Sequence, residues 1–230
     1  PDLLANVVNE YDMINDLATA NDGDLRDGNA QDPGDAVVAN ECYSGSPARD
    51  SSWHGTHVGG TVAAVSNNAM GVTGVAWNVG LIPVRVLGKC GGWGYDIADG
   101  IRWAAGLNVP GVPDNILPAD VINMSLGSNS PGACGATYQT AIDDAYNAGT
   151  TVVTSAGNSN ANANYQPGNC NNVISVAASA NDGARAYYSN FGPAVDITAP
   201  GGDGCNPINN NYPGTLSDCE GGCLLYTSPS

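Results

Sequence analysis

The sequence contains few basic residues: six Lys and Arg and two His stand against 22 Asp and Glu, giving a formal net charge of −16. This balance argues against a nucleic-acid partner, because binding the phosphate backbone requires Lys and Arg. No apolar run approaches the roughly 18 residues of a membrane span, so no membrane partner is expected. With 42% hydrophobic and 12% charged residues, the chain is typical of a folded domain, and we expect a monomer.

Zinc-binding cysteine pairs are also lacking. No C-x-x-C occurs, and no histidine lies near any cysteine, which argues against a zinc site. Disulfides formed in an oxidising compartment are the better interpretation, and they predict a secreted protein. The number of cysteines is odd, so they cannot all form disulfides with one another; they are Cys42, Cys90, Cys134, Cys170, Cys205, Cys219 and Cys223.

Apolar runs that read as strands alternate with helical patterns. The strands are predicted at 80–87, 119–127, 150–158 and 172–179. One helix, at 94–107, places Ile97, Ile101, Ala104 and Ala105 on one face, and a second, at 138–149, does the same with Ala141, Ile142, Ala145 and Tyr146, with Gly149 as C-cap. Because the strands are apolar throughout, we expect an α/β fold of three layers, with helices on both faces of a mostly parallel twisted sheet.

Both histidines lie in HGTHVGGTVAAV, residues 54–65. Asp50, Ser51 and Ser52 precede this stretch and can cap a helix, and its small residues let the helix lie close against a neighbour. His54 and His57 have three possible roles: metal ligand, general base or packing. A metal site is disfavoured because the chain has no third histidine, and a general base usually has a carboxylate that orients it. Alone, the motif favours packing.

Three further motifs follow in order: INMSLG (122–127), TSAGNSN (154–160) and YSNFGPAVDITAPG (188–201). Together with the histidine motif they resemble the subtilisin-like serine endopeptidases. VLGKCGG (86–92) and WAAGLNVPGVPDN (103–115) are similar to the secreted, cysteine-containing members from Gram-negative bacteria. The resemblance covers residues 1 to about 205. It implies a subtilisin-like fold and hydrolysis of polypeptide substrates through an acyl-enzyme, with a propeptide as a possible further partner.

Roles carry over from the family to matching positions. His54 resembles the general base, His57 a structural residue packed behind the site, and Asn158 the oxyanion-hole donor. Two segments resemble strand edges that hold the substrate backbone by β-augmentation; they are Ser125, Leu126 and Gly127 on one side and Gly91 and Gly92 on the other. Ala156, Gly157 and residues 165–168 would line the pocket for the substrate residue before the cleaved bond.

Two parts of the family pattern are missing. The Asp-Thr/Ser-Gly turn that supplies the orienting aspartate is expected upstream of Pro1, and no Gly-Thr-Ser-Met-Ala motif supplies the nucleophile. GTLS at 214–217 is the nearest string, but Ser217 is not assigned. Residues 223–230 resemble translated adapter sequence, so we expect residues 1–222 to be a partial peptidase domain. We then expect this chain by itself to be an inactive part of a serine endopeptidase. The alternative is a catalytically dead relative that binds peptides.

Disulfides and calcium are further implications of the resemblance. It suggests the pairs Cys42–Cys90 and Cys134–Cys170, with Cys205 bonded beyond the chain and Cys219 and Cys223 accidental. Residues 21–35 bring together several carboxylates that a calcium ion could hold, although a solvated acidic loop is the alternative; they are Asp22, Asp24, Asp27, Asp32 and Asp35. Asp2 resembles a ligand of the family's N-terminal calcium site, which the loop at Asn67 and Asn68 would complete.

Overall fold

The computed structural model describes residues 2–202, and these divide into two compact units. The first unit is Pro1–Asp120 with Asn147–Thr150, and the second is Val121–Tyr146 with the described residues from Thr151 onward. Cys205, Ser217, Cys219, Cys223 and the tail at 223–230 lie outside the described residues. Each unit has its own parallel sheet and its own buried apolar cluster.

In the first unit, strand β1 (Tyr11–Asp12) pairs in parallel with β2 (Val84–Arg85). The helices are α1 (Leu17–Ala20), α2 (His54–Ala63) and α3 (Gly94–Ala104), and a 3-10 turn spans Leu4–Asn6. α3 buries the face predicted from its apolar spacing, because Ile97, Ile101 and Ala104 are all buried. The core joins Tyr11 and Met13 of the β1 region to Trp103 of α3.

The second unit contains a four-stranded parallel sheet whose strands lie in chain order. They are β3 (Val121–Met124), β4 (Thr151–Ser155), β5 (Val173–Ser179) and β6 (Ile197–Pro200). Helix α4 (Ala136–Asn147) connects β3 to β4 and buries Ala141, Ile142 and Ala145. Tyr146, predicted on the same face, is 56% exposed, because the buried face ends one residue earlier. Gly149 follows with a φ of 95°.

Parallel strands with intervening helices confirm the predicted α/β class. The predicted strand at 80–87 is reduced to Val84–Arg85, since β1 offers it a partner of only two residues. Both suggested disulfides are formed: Cys42 to Cys90 with a Cα separation of 5.3 Å, and Cys134 to Cys170 with 5.1 Å. None of the helices within residues 2–202 is long and apolar enough to cross a membrane.

Candidate active-site residues

His54 is the first residue of α2. The helix is not capped by the side chain of the preceding residue; Trp53 instead adopts a left-handed conformation with a φ of 50°. Ser52 satisfies the first free amide, because the His54 N–H donates to Ser52 Oγ at 3.4 Å. The sequence therefore predicted the helix start correctly, and Ser52, one of the three residues expected to cap it, accepts this amide.

Burial lowers the pKa of the half-buried His54 imidazole below its usual range. The positive charge of His57 lowers this pKa further, and the carboxylate of Asp35 opposes both effects. A lowered pKa keeps the imidazole neutral near pH 7, which is the form able to accept a proton. The environment of His54 is thus compatible with a general base.

Most of the packing of α2 lies at its C-terminal end. The amides of Gly74, Val75 and Ala76 donate to the carbonyls of Ala64, Thr61 and Val62, each at 2.9 Å. A Cβ at Gly74 would lie 2.6 Å from the Ala64 nitrogen, so only glycine allows this approach.

The first turns of the helix lack such a neighbour, and His57 is exposed. Packing of His57 behind the site stays a prediction, because the nucleophile and the orienting aspartate are not among the described residues.

Asn158 lies just beyond the carboxyl end of β4 and is exposed. The loop that carries it is held by Asn190, which is fully buried. The Asn190 side chain accepts from the amides of Ser159 (2.9 Å) and Ala161 (3.1 Å) and donates to the Ala156 carbonyl (2.9 Å). Sequence reasoning missed Asn190, although it lies inside the quoted YSNFG motif.

The predicted pocket residues of the second unit lie close together. Ser125–Gly127 continue from the carboxyl end of β3, and the next amide, that of Ser128, donates to the Gln166 carbonyl at 2.9 Å. The Gln166 side chain accepts from the Gly135 amide at 2.9 Å. A Cβ at Gly168 would lie 2.8 Å from the Ser155 carbonyl, so residues 165–168 also lie against the end of β4, where Ala156 and Gly157 follow.

Gly91 and Gly92 are exposed and precede α3. The Gly91 amide donates to the Gly88 carbonyl at 3.1 Å, and the Gly91 carbonyl accepts from the Gly88 amide at 2.8 Å. Gly91 therefore has its own N–H engaged in a tight turn. Gly92 must be glycine, because a Cβ there would lie 2.3 Å from the Val86 carbonyl oxygen.

Arginine side chains form ion pairs with acidic residues in and around the 21–35 loop. Arg85 forms ion pairs with Asp12 and Asp22, and Arg26 with Asp96 at 2.6 Å and Asp99 at 2.9 Å.

Several other acids are engaged locally. Asp27 and Asp32 accept from the amides two residues further on, while Asp35 binds Ser52. The pKa of exposed Asp24 is raised, first by desolvation and then by the negative charges of Asp27 and Asp22. No three His, Cys, Asp or Glu side chains within residues 2–202 are close enough to hold a metal ion, so the expected five-carboxylate site is not assembled.

Asp2 lies against the loop that was expected to accompany it. Its carboxylate accepts from the Asn68 side-chain amide at 2.6 Å and from the Val72 amide at 3.2 Å. Residues 65 and 67–73 line a cavity of about 280 Å³. The Asp2 carboxylate and the side chain of Asn68 carry oxygen atoms of the kind that calcium prefers, and the two side chains lie within hydrogen-bond distance of each other.

The motifs and the parallel α/β fold agree with comparisons to known proteins. Residues 16–227 match the Peptidase S8 profile, described as the subtilase family, and the chain belongs to that family. It is 54% identical over 219 residues to an extracellular protease of Xanthomonas campestris pv. campestris, and 45% identical over 225 residues to an extracellular basic protease of Dichelobacter nodosus.

These alignments cover 94% and 96% of this chain but 37% of each relative. Among solved structures, one described as proteases from Pseudoalteromonas arctica matches with a TM-score of 0.84 and 60% identity, covering 87% of this chain and 58% of that one. The chain therefore spans little more than a third of the length of these two curated relatives.

Proposed function

We propose that the protein to which this chain belongs is a secreted serine endopeptidase that hydrolyses peptide bonds through an acyl-enzyme, with His54 as general base and Asn158 as oxyanion donor. The observation that supports this most is the half-buried His54 at the start of α2, with a lowered pKa, in a chain of the subtilase family. Two relatives named extracellular proteases support secretion.

The substrate would be an extended polypeptide. Its backbone would pair with Ser125–Gly127, and the side chain before the cleaved bond would meet Ala156, Gly157 and residues 165–168, all of them in the second unit. Asn158 follows Gly157 in a loop anchored by a buried side chain, which suits a preorganised hydrogen-bond donor. The partners are thus polypeptides and a propeptide, and we propose a monomer that binds no nucleic acid.

The nucleophile and the orienting aspartate are not assigned within the 230 residues, which contain neither Gly-Thr-Ser-Met-Ala nor Asp-Thr/Ser-Gly. A polypeptide of this sequence alone is therefore expected to lack peptidase activity. A burst of product from an activated ester would contradict that expectation. The alternative function, a peptide-binding relative without catalysis, predicts a full coding sequence that also lacks both motifs.

The decisive experiment uses the full-length protein and a chromogenic peptide substrate. His54→Ala should lower kcat by about 10²–10⁴-fold, because proton transfer to a general base is lost. Asn158→Ala should lower kcat with little effect on KM, since the oxyanion forms only during reaction. His57→Gln is the matched control and should retain activity, because His57 is exposed. Equal activity of His54→Ala and His57→Gln would refute the assignment.

A structural calcium ion is proposed at Asp2 and the loop of residues 65–73, rather than in the 21–35 loop. When bound, the ion would tie the N-terminal segment to the loop that follows α2. We expect chelator to lower the melting temperature of the parent protein but not of Asp2→Asn, because a ligand that binds only the folded state stabilises it. Asp24→Asn is the control. An unchanged melting temperature in chelator would exclude the site.

A further inference from the structure

Residues 34–37 run alongside the segment that leads into α2. The backbones of Val37 and Arg49 exchange two hydrogen bonds of 2.9 Å, and the Ala36 amide donates to Ser51 Oγ at 3.1 Å. Asp35 completes the pairing, because its carboxylate accepts from the Ser52 amide at 2.6 Å and from the Ser52 hydroxyl at 2.9 Å. Asp35 was expected to bind calcium, but its two oxygens are directed at Ser52.

The contact with Asp35 lies at a conformationally demanding point of the chain. Trp53, between Ser52 and His54, has a φ of 50°, which costs free energy for a residue other than glycine. Ser52 Oγ, held by Asp35, in turn accepts the His54 amide at 3.4 Å. Asp35 therefore holds the residue that caps α2, and it does so on the side from which the chain enters the helix.

We propose that Asp35 is a positioning residue for His54: through its two hydrogen bonds to Ser52 it fixes the segment from which α2 begins. The catalytic part of this inference rests on the proposed function, because only a general base needs such support. The geometric part does not, since the chain from Asp35 to Ser52 to the His54 amide is formed whatever reaction the protein performs.

Two charged groups act on the His54 imidazole. His57, on the same helix, disfavours its protonation, whereas Asp35, on the neighbouring segment, favours it; burial, the largest effect, also disfavours it. A neutral imidazole becomes positively charged when it accepts a proton, and a nearby carboxylate stabilises that form. Asp35 thus opposes burial at the moment when the proton is transferred.

Titration by NMR tests this on the chain as it stands, without peptidase activity. The chain has two histidines, and a His57→Gln variant assigns the remaining imidazole signal to His54. Asp35→Asn removes the charge but keeps an oxygen for the Ser52 amide, so it should fold. We expect it to lower the His54 pKa by about 0.3–0.5 pH unit, as one partly solvated carboxylate would.

Asp50→Asn is the matched control, because it removes the same charge from an exposed residue of the segment that leads into α2. It should move the His54 pKa by less than half as much. Ser52→Ala keeps the carboxylate but removes the hydroxyl link, so the His54 amide should exchange with solvent faster while the imidazole pKa stays closer to the parent value. Asp35→Glu keeps the charge, so the His54 pKa in this variant should also stay near the parent value.

Equal His54 pKa values in Asp35→Asn and Asp50→Asn would overturn the electrostatic role. Unchanged exchange of the His54 amide in Ser52→Ala would overturn the structural link. In the full-length enzyme, Asp35→Asn should shift the acidic limb of the kcat/KM profile in the same direction as the NMR titration. If the protein proves to have no peptidase activity, the proposed function fails, whereas the NMR result for Asp35 is unaffected.

Discussion

Replacing Arg85 by Met should destabilise the first unit strongly, because Arg85 neutralises a buried carboxylate. Its side chain is 5% exposed and pairs with Asp12, which is 1% exposed and lies directly opposite it in the β1–β2 register. Arg85 also pairs with Asp22 at 2.6 Å and donates to the Ala20 carbonyl. Met fills much of the same volume but leaves Asp12 charged and buried.

Breaking a buried ion pair on one side costs about 3–5 kcal/mol of unfolding free energy. For a chain of this length, 1 kcal/mol corresponds to about 2–4 °C in melting temperature, so a decrease of about 6–20 °C is expected. Urea unfolding followed by tryptophan fluorescence measures the loss of unfolding free energy, because Trp103 lies in the core of this unit, 5.2 Å from the Tyr11 ring.

The pH dependence follows from Asp12. Burial raises the pKa of Asp12 in the folded state, against the opposing effect of Arg85 and of the Ile14 amide. The folded protein therefore takes up this proton at a higher pH than the unfolded chain. The cost of the charge is absent below the unfolded pKa and grows as the pH rises through the folded pKa. The deficit of Arg85→Met should accordingly shrink in acid.

The double variant Asp12→Asn/Arg85→Met provides the control, because it contains no buried charge at this position. At neutral pH it should recover part of the unfolding free energy that Arg85→Met loses. Its difference in unfolding free energy from the parent protein should not become smaller in acid. A loss below about 1 kcal/mol for Arg85→Met, with the double variant no more stable, would refute the reasoning, because the buried charge would then cost far less than expected.

Three further predictions concern stability. Gly74→Ala should lower the free energy of unfolding by about 1–3 kcal/mol, because its Cβ would lie 2.6 Å from the Ala64 nitrogen at the end of α2. Gly60→Ala is the control: a Cβ there meets nothing within 4 Å, so the variant should be as stable as the parent or more stable in the same urea assay. Asn190→Ala should cost about 1–3 kcal/mol, since backbone groups at Ala156, Ser159 and Ala161 lose the buried side chain that pairs with them. The Ser159 amide should then exchange with deuterium faster, and unchanged protection of this amide would contradict the role of Asn190. Replacing Cys134 and Cys170 by Ser opens a loop between two residues that lie 36 positions apart. The greater entropy of the unfolded chain should lower the free energy of unfolding by about 3–4 kcal/mol. The urea midpoint measures this loss, and an unchanged midpoint would contradict it.

The sheet of the second unit was largely predictable, because its central strands carry their own signal. The cores of β3, β4 and β5 are apolar runs without charge, and α3 and α4 have clear apolar faces. Strand β6 was missed since it is short, ends in Pro200 and is exposed throughout. Strand β1 was also missed, because a strand of two residues has no periodicity to detect.

The acidic loop was the main error, and it has a physical cause. Composition shows that many carboxylates crowd residues 21–35, but it does not show which positive charge approaches them. Arg85 lies 63 residues from Asp22, and Arg26 lies 70 residues from Asp96. Pairs at such separations are made by tertiary folding, so a metal ion and a guanidinium are equally consistent with the sequence alone.

The histidine motif shows the opposite case, in which distant motifs rather than its own residues support the proposed role. HGTH by itself fits packing as well as catalysis, and the exposure of His57 shows that even the order of burial within the motif is not readable from it. The support around His54 is equally invisible in sequence, because Asp35 lies 17 residues from Ser52 and reaches it through an antiparallel pairing. The ordered motifs therefore support the proposed role of His54, whereas the contacts around the start of its helix are visible only in the structure.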